Sequence, residues 1–285
     1  MAIDLESREL FDPADADLTA PIDMGFSAGP ESHEPFGPDE HSGTADAAEP
    51  VIDWNAVFDE EDVEFETNVD IVLCLDLTGS MGPVIEKSKM LGRDLVGQIN
   101  EGLRKKNRRV DSLRFKVCGF RDYYCDDEPM VESDFFELPA QESRFYAYLN
   151  RLQATGGGDA PENSLEALYK AFTSDWMTRG AKRRHIVLLM TDTGPHPLDH
   201  PKRDSTPGYP QEMPRSLEEL GAVWDDGQGR LGSTERRMAI FAPHDKVWDE
   251  INETWPLVHH TPCRAGDGLS DVDMQVVVNW IANSI

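Results

Sequence analysis

The sequence predicts an α/β fold: a doubly wound, mainly parallel central sheet flanked by helices, preceded by a disordered acidic tail. Three observations carry this expectation. From Asn68 onward, short apolar runs alternate with segments of helical spacing, the pattern of βαβ units. Two of the runs, VDIVLCLDL and RRHIVLLMTDT, read as central strands. Residues 1–66 combine Asp, Glu, Pro, Gly and Ala with neither a helix nor a strand period, so they cannot bury enough apolar area to offset ordering entropy.

Within the tail, VIDWNAVF concentrates Ile52, Trp54, Val57 and Phe58. It reads either as a short segment that docks on a surface or as a linker end tucked against the domain. The domain itself is expected over 67–285, opening with VDIVLCLDL. From Pro83 to about Lys106 the spacing is helical, with Val84, Ile85, Leu91, Leu95, Val96, Ile99 and Leu103 able to face the sheet. LRFKVCGF follows as a strand, then a short strand near FFEL, a helix around Arg144 to Leu152 and another from about Glu162 to Trp176. After RRHIVLLMTDT comes a connection of about 38 residues, 194–231, rich in Pro, Gly and His. That is long for a compact domain and is expected to be a functional or mobile loop insertion. RRMAIFAP and PLVHHTPC supply the last strands, and DVDMQVVVNWIANSI closes the chain as an amphipathic helix.

Charge and composition narrow the function. The 285 residues are 39% apolar, adequate for a sizeable core, and carry a formal charge of -27. Nucleic-acid and anionic-membrane binding both need clustered Lys and Arg, so neither is expected. Residues 1–68 hold 20 acidic side chains against one basic residue, Arg8, so the acidity belongs mainly to the tail. The start of the chain lacks a cationic, apolar leader, and the longest apolar runs are too short to span a bilayer, so a cytoplasmic protein is expected. No CxxC pair occurs among the four cysteines, which are expected to be buried or idle thiols.

Three short motifs bear chemistry. The first strand ends in DLTGSM, placing Asp76, Thr78 and Ser80 at i, i+2 and i+4 on the carboxyl edge of the sheet, where open α/β sheets bind ligands. Such an oxygen set suits a hard cation such as Mg2+; equally, Ser80 could cap the next helix and Asp76 a loop amide. In TGGGDAPEN, three glycines let backbone approach an ion ahead of Asp159. There, Asp159 and Glu162 also have capping-box spacing, with Pro161 in the first turn. In TDTGPH, Asp192 ends a second apolar strand at the same edge, where a lone Asp is often a turn residue.

Taken together and in this order, DLTGSM, TGGGDAPEN and LLMTDT resemble the metal-ion-dependent adhesion site (MIDAS) of von Willebrand factor A (vWA) domains, over about residues 68–285. The resemblance implies Mg2+, with Mn2+ or Ca2+ as alternatives, held by Asp76, Thr78, Ser80, Asp159 and Asp192. Asp76, Ser80 and Asp192 match the family pattern directly, and Thr78 replaces the usual Ser while keeping a hydroxyl. Asp159 stands where most members have Thr, which makes the site more anionic. GGGD followed by PE, together with GFRDYY, is similar to intracellular A domains found beside protein kinases and phosphatases. The implied function is Mg2+-dependent protein–protein interaction in a kinase or phosphatase signalling, stress or defence system, with the partner protein supplying a carboxylate to the ion. The 194–231 insertion should rim that face, bringing His196 and His200 near it.

Two other functional classes share part of this pattern. Phosphoryl-transfer hydrolases also place a strand-end Asp beside magnesium, but Thr78 stands where their DxDxT pattern needs a second Asp as acid/base. GFSAG fits a nucleophile-elbow pattern yet lies in the tail without a preceding strand, and no phosphate-binding glycine loop is present. A scaffold with a purely structural metal is the remaining alternative. On that view the basic clusters Lys105 to Arg109 and Ala181 to Arg184 would lie on the opposite edge of the sheet, where the acidic tail could fold back.

Overall fold

Burial along the strands decides the architecture. The structure, a computed structural model, describes residues 67–83, 85–86, 97–99, 101–102, 104–105, 110–158, 160–226 and 231–285. The tail expected over 1–66, with its VIDWNAVF segment, lies outside the described residues, as do Asp159 and residues 106–109 of the first basic cluster.

Strand β1 (Thr67–Asp76) is buried almost throughout. Ile71, Leu73 and Leu75 enter one core layer, and Val72 and Cys74 the other. The alternation is the strand's period of two, with both sets apolar because helices cover both faces. The other strands are β2 (Ser112–Phe120), β3 (Met130–Glu132), β4 (Phe136–Leu138), β5 (Lys182–Met190), β6 (Arg236–Pro243) and β7 (Val258–Cys263). They form a seven-stranded sheet in the order β3-β2-β1-β5-β6-β7, with β4 also pairing β2. β1, β2, β5, β6 and β7 run parallel, while β3 and β4 pair antiparallel with β2.

Among the described residues the α-helices with stated bounds are, in chain order, α1 (Glu142–Arg151), α2 (Ser164–Phe172), α3 (Leu217–Asp226), α4 (Lys246–Thr254) and α5 (Met274–Ser284). The described residues between Gly82 and Lys105 are also helical. Ile85 and Ile99 of that stretch join Phe145 and Leu149 of α1 and Val277 and Ile281 of α5 against one face of the sheet. Leu165 and Leu168 of α2, Trp224 of α3 and Trp248 of α4 cover the other. This is the doubly wound α/β architecture expected from the sequence. All four cysteines are free, and among the described residues no helix is long and apolar enough to cross a membrane.

The structure departs from expectation in the connections. β3, α3 and α4 were not anticipated. Helix α4 opens with Asp245, whose carboxylate accepts the Val247 N–H at 2.8 Å, and buries only Trp248 and Ile251, too few positions to establish a period. The 194–231 segment is not one loop: it contains α3 and inserts Leu198, Tyr209 and Met213 into the core. Arg203, 3% exposed, donates to the carbonyls of Leu198, Met213 and Pro214. Tyr209 Oη donates to Glu166 Oε1 of α2 at 2.7 Å. Single anchors rather than a repeating pattern hold this segment, so its Pro- and Gly-rich composition concealed them.

Arg203→Ala is expected to destabilise the domain by about 3 kcal/mol, because it leaves buried carbonyls without donors. Urea unfolding followed by circular dichroism would measure this, and a loss below about 1 kcal/mol would contradict the anchoring role.

Candidate metal centre at the carboxyl edge

The chain passes from β1 to β2 on one side and later reaches β5 on the other, so strand order reverses beside β1. In open α/β sheets this reversal opens a crevice at the carboxyl ends of the strands. β1 and β5 pair in parallel through Leu75↔Met190, which leaves Asp76 at the end of β1 close to Asp192, two residues past the end of β5. Both carboxylates are buried, Asp76 at 0% exposure and Asp192 at 2%.

A continuous line of oxygens joins them. Thr78 donates to Asp76 Oδ1 from both its backbone N–H, at 2.9 Å, and its hydroxyl, at 2.6 Å. The Thr78 hydroxyl lies 3.4 Å from Ser80 Oγ, which donates to Asp192 Oδ1 at 3.1 Å. The second oxygen of each carboxylate is tied back to the protein: Thr191 Oγ1 donates to Asp76 Oδ2 at 2.7 Å, and Gly268 N–H donates to Asp192 Oδ2 at 2.8 Å. The Oδ1 atoms are the ones that meet the Thr78 and Ser80 hydroxyls. Ser80 sits inside a 3-10 turn, Gly79–Met81, and its side chain reaches Asp192 instead of capping a helix.

The glycine loop is fastened beside this line. Arg121, near the end of β2, donates to the carbonyls of Gln153 and Thr155 at 3.0 and 2.9 Å. Gly79 N–H donates to Gly156 O at 3.2 Å, and Asp126 accepts the Gly157 N–H at 3.0 Å. Gly157 has φ +70°, and a Cβ there would stand 2.4 Å from Thr78 Cγ2 and 2.7 Å from Glu162 Oε1, so only glycine fits. Gly268, with φ +55°, would place a Cβ 2.3 Å from Ser80 O. Of the five expected ligands, the structure brings Asp76, Thr78, Ser80 and Asp192 together.

Glu162 departs from its expected capping role. Helix α2 begins at Ser164 with Asn163 at the cap position, and no side-chain cap bond forms. Glu162 is instead 3% exposed and lines a cavity of about 420 Å³ with Thr78, Ser80, Gly157, Asp192 and Gly266. Capping-box spacing concealed this in the sequence. Thr191 and Gly268 were also not anticipated: the first acts across the β1–β5 pairing and the second comes from beyond β7. His196 and His200 do not line the cavity; both ring-pack on Tyr124, and His196 Nε2 lies 3.4 Å from Asp122 Oδ2.

Electrostatically the site is short of positive charge. Burial pushes the Asp76 carboxyl up to about 6, against the Thr78 and Thr191 hydrogen bonds and with the help of Asp192. Glu162 is pushed up to about 9, first by burial and then by Asp76, Asp122, Asp126 and Asp192. Buried carboxylates normally find a cationic partner, and the charges acting on these two are other carboxylates. An all-oxygen donor set of two carboxylates and two hydroxyls fits a hard divalent cation. Among the described residues, no group of three or more His, Cys, Asp or Glu is placed so that it could hold a metal ion.

No known family model matches the chain. It is similar to the alpha-protein kinase vwkA of Dictyostelium discoideum, 28% identical over 141 residues. The match covers 49% of this chain but only 21% of that protein, so the chain spans about a fifth of the relative's length. Among solved structures it is similar to the pilus adhesin SpaC from Lactobacillus rhamnosus GG, with a TM-score of 0.47, 10% identity, and 76% of this chain and 30% of that one covered. A von Willebrand factor type A structure from Catenulispora acidiphila gives 0.39 and 14%, covering 77% and 43%. Proximal thread matrix protein 1 from the mussel byssus gives 0.42 and 13%, covering 76% and 47%. Scores this low carry no inference about this chain.

Because both carboxyls are shifted upward, the folded metal-free protein keeps protons that the unfolded chain releases. Its stability therefore falls as pH rises, between 3.8 and about 6 for Asp76 and between 4.5 and about 9 for Glu162. A cation bound by these carboxylates would displace the protons. The rise in melting temperature between chelator and saturating Mg2+ should thus grow as pH increases through these windows. A rise that is independent of pH would contradict it.

Proposed function

We propose that this domain is a divalent-cation-dependent protein-interaction module and that Asp76, Thr78, Ser80 and Asp192, with Asp159, hold Mg2+. The observation that carries the reading is the line of oxygens from Asp76 Oδ1 through Thr78 and Ser80 to Asp192 Oδ1, at the carboxyl edge and beside a solvent-reaching cavity. Asp159 enters by resemblance to the A-domain motif alone. When bound, the cation supplies the positive charge that lets a carboxylate of a partner protein dock against an acidic rim.

The chain's own residues do the positioning. Thr191 and Gly268 fix the two carboxylates through their Oδ2 atoms, while Thr78 and Ser80 hold the Oδ1 atoms. The hydroxyls of Thr78 and Ser80 each keep lone pairs besides the proton they donate, so they can serve a carboxylate or a cation. The reading is of a binding site rather than a catalytic one. Similarity to a segment of a protein kinase supports a partner within a kinase system.

Calorimetric titration of the full chain with Mg2+, followed by affinity isolation of partners with and without the ion, tests this. Asp76→Ala should abolish both Mg2+ binding and Mg2+-dependent capture while leaving the circular dichroism spectrum unchanged. Capture that persists in chelator would contradict a role for the ion in recognition.

A further inference from the structure

Helix α1 uses two of its faces. Phe145 and Leu149 enter the core, whereas Arg144, Tyr148 and Arg151, spaced four and three apart, line a groove of about 560 Å³ beside it. The opposite wall is the chain from Glu132 to Phe136 at the edge of the sheet. The β3 ladder ends at Glu132 and the β4 ladder begins at Phe136, so Asp134 and Phe135 belong to neither. Ser133 secures the break: its N–H donates to Val117 O at 3.0 Å, and its Oγ accepts the Val117 N–H at 2.9 Å in place of a backbone carbonyl. Phe136 packs on Tyr148 with ring centroids 5.8 Å apart, and Arg114 lies 4.5 Å over the Phe135 ring, so both walls are fixed by the fold.

Arg144 and Arg151 give the groove its charge. Among the described residues neither has a carboxylate partner, and Arg151 lies 5.5 Å over the Tyr148 ring. Of the two acids on the facing wall, Glu132 is already met by Lys116 at 3.0 Å and Lys170 at 3.7 Å, which leaves the exposed Asp134 against two guanidinium groups. The helix accounts for only one of the cations. Arg151 stands in the last turn, where the macrodipole favours positive charge, but Arg144 stands in the first turn, where it is disfavoured. The two are about 10 Å apart along the axis at the helical rise of ~1.5 Å per residue. Side chains on one face of an extended strand recur about every 7 Å, so carboxylates two or four residues apart in an extended segment can reach both. A smaller cavity of about 260 Å³ shares Tyr148 and Arg151 and continues to Gln153 and Thr155, whose carbonyls Arg121 holds at the start of the glycine loop. The groove thus leads toward the metal face.

We propose that the groove between α1 and the β3–β4 break receives an extended acidic segment of the partner protein, with carboxylates on Arg144 and Arg151 and its backbone beside Asp134 and Phe135. The inference rests on the reading of this domain as a protein-interaction module, though not on the ion, and adds a second point of contact with its own chemistry. Charge complementarity selects the occupant. The chain carries a formal charge of -27, so an acidic segment is repelled at long range and is retained only where local cations meet it. A partner that reaches both the groove and the metal edge binds the second of them intramolecularly, which raises its overall affinity without any further contact.

The test is fluorescence anisotropy of the full chain, in chelator, with two labelled dodecapeptides, one alternating Glu with Val and the other alternating Gln with Val. The Glu peptide should bind about 10-fold more tightly than the Gln peptide, a comparison that needs no substitution. Reversing both charges, Arg144→Glu with Arg151→Glu, should weaken the Glu peptide by about 10-fold and leave the melting temperature unchanged, since both side chains are exposed. Asp76→Ala, which removes the cation site, should keep wild-type affinity for the Glu peptide, so a failure of the cation reading and a failure of the groove are separate results. Equal binding of the two peptides, no binding of either, or an affinity for the Glu peptide that survives the double reversal overturns the proposal. Sedimentation of the wild type and the double variant covers the other occupant: self-association that the double reversal abolishes would give the groove to a second copy of this chain and overturn the partner segment.

Discussion

The parallel pairing of β1 with β5 is the constraint on which the site depends. Its register sets Leu75 opposite Met190 and so brings the carboxylates that follow each strand to one point on the sheet edge. A slip of one residue would turn every side chain of a strand to the opposite face, and both core layers resist it. Ile71, Leu73 and Leu75 pack on one side with Ile186, Leu188 and Met190, while Val72 and Cys74 pack on the other with Val187 and Leu189. The hydrophobic cores thus fix the distance between two polar groups that they never touch.

Burying Asp76 beside a cavity lined by Asp192 and Glu162 works against stability, since burial disfavours the charged forms of Asp76 and Glu162 and the neighbouring carboxylates add to it. The protein offsets part of this with donors aimed at the carboxylates: Thr78 and Thr191 at Asp76, and Ser80 and Gly268 at Asp192. Glu162 Oε2 receives none of this help. Backbone clamps rather than side-chain bonds keep the glycine loop and Glu162 in place, so the acidic groups cannot relax apart. Such tension is common where a site is organised before its ligand arrives.

Much of the fold was legible because the sheet is central. Strands buried on both faces leave long apolar runs, and strand-end Asp residues stand out where those runs stop. Asp76, Thr78, Ser80 and Asp192 could be placed at one edge on that basis alone. Glu162 was legible as a residue but not as a role, because its spacing from Asp159 is also that of a helix cap. Gly268 carried no local signal, since its contact with Asp192 depends on a loop that arrives after β7. Helices α3 and α4 bury two side chains each, as α1 does, but α3 lies inside a Pro- and Gly-rich connection that reads as a loop. The 194–231 segment looked like a loop because its anchors, Arg203 and Tyr209, act singly and through polar contacts.

The central claim is that these oxygens meet around one divalent cation. Anomalous diffraction from crystals of the full chain grown with Mn2+ tests it most directly. The account predicts a single strong anomalous peak bounded by the Asp76, Thr78, Ser80 and Asp192 side chains. A peak elsewhere, or none there at saturating Mn2+ with all four side chains ordered, would contradict it.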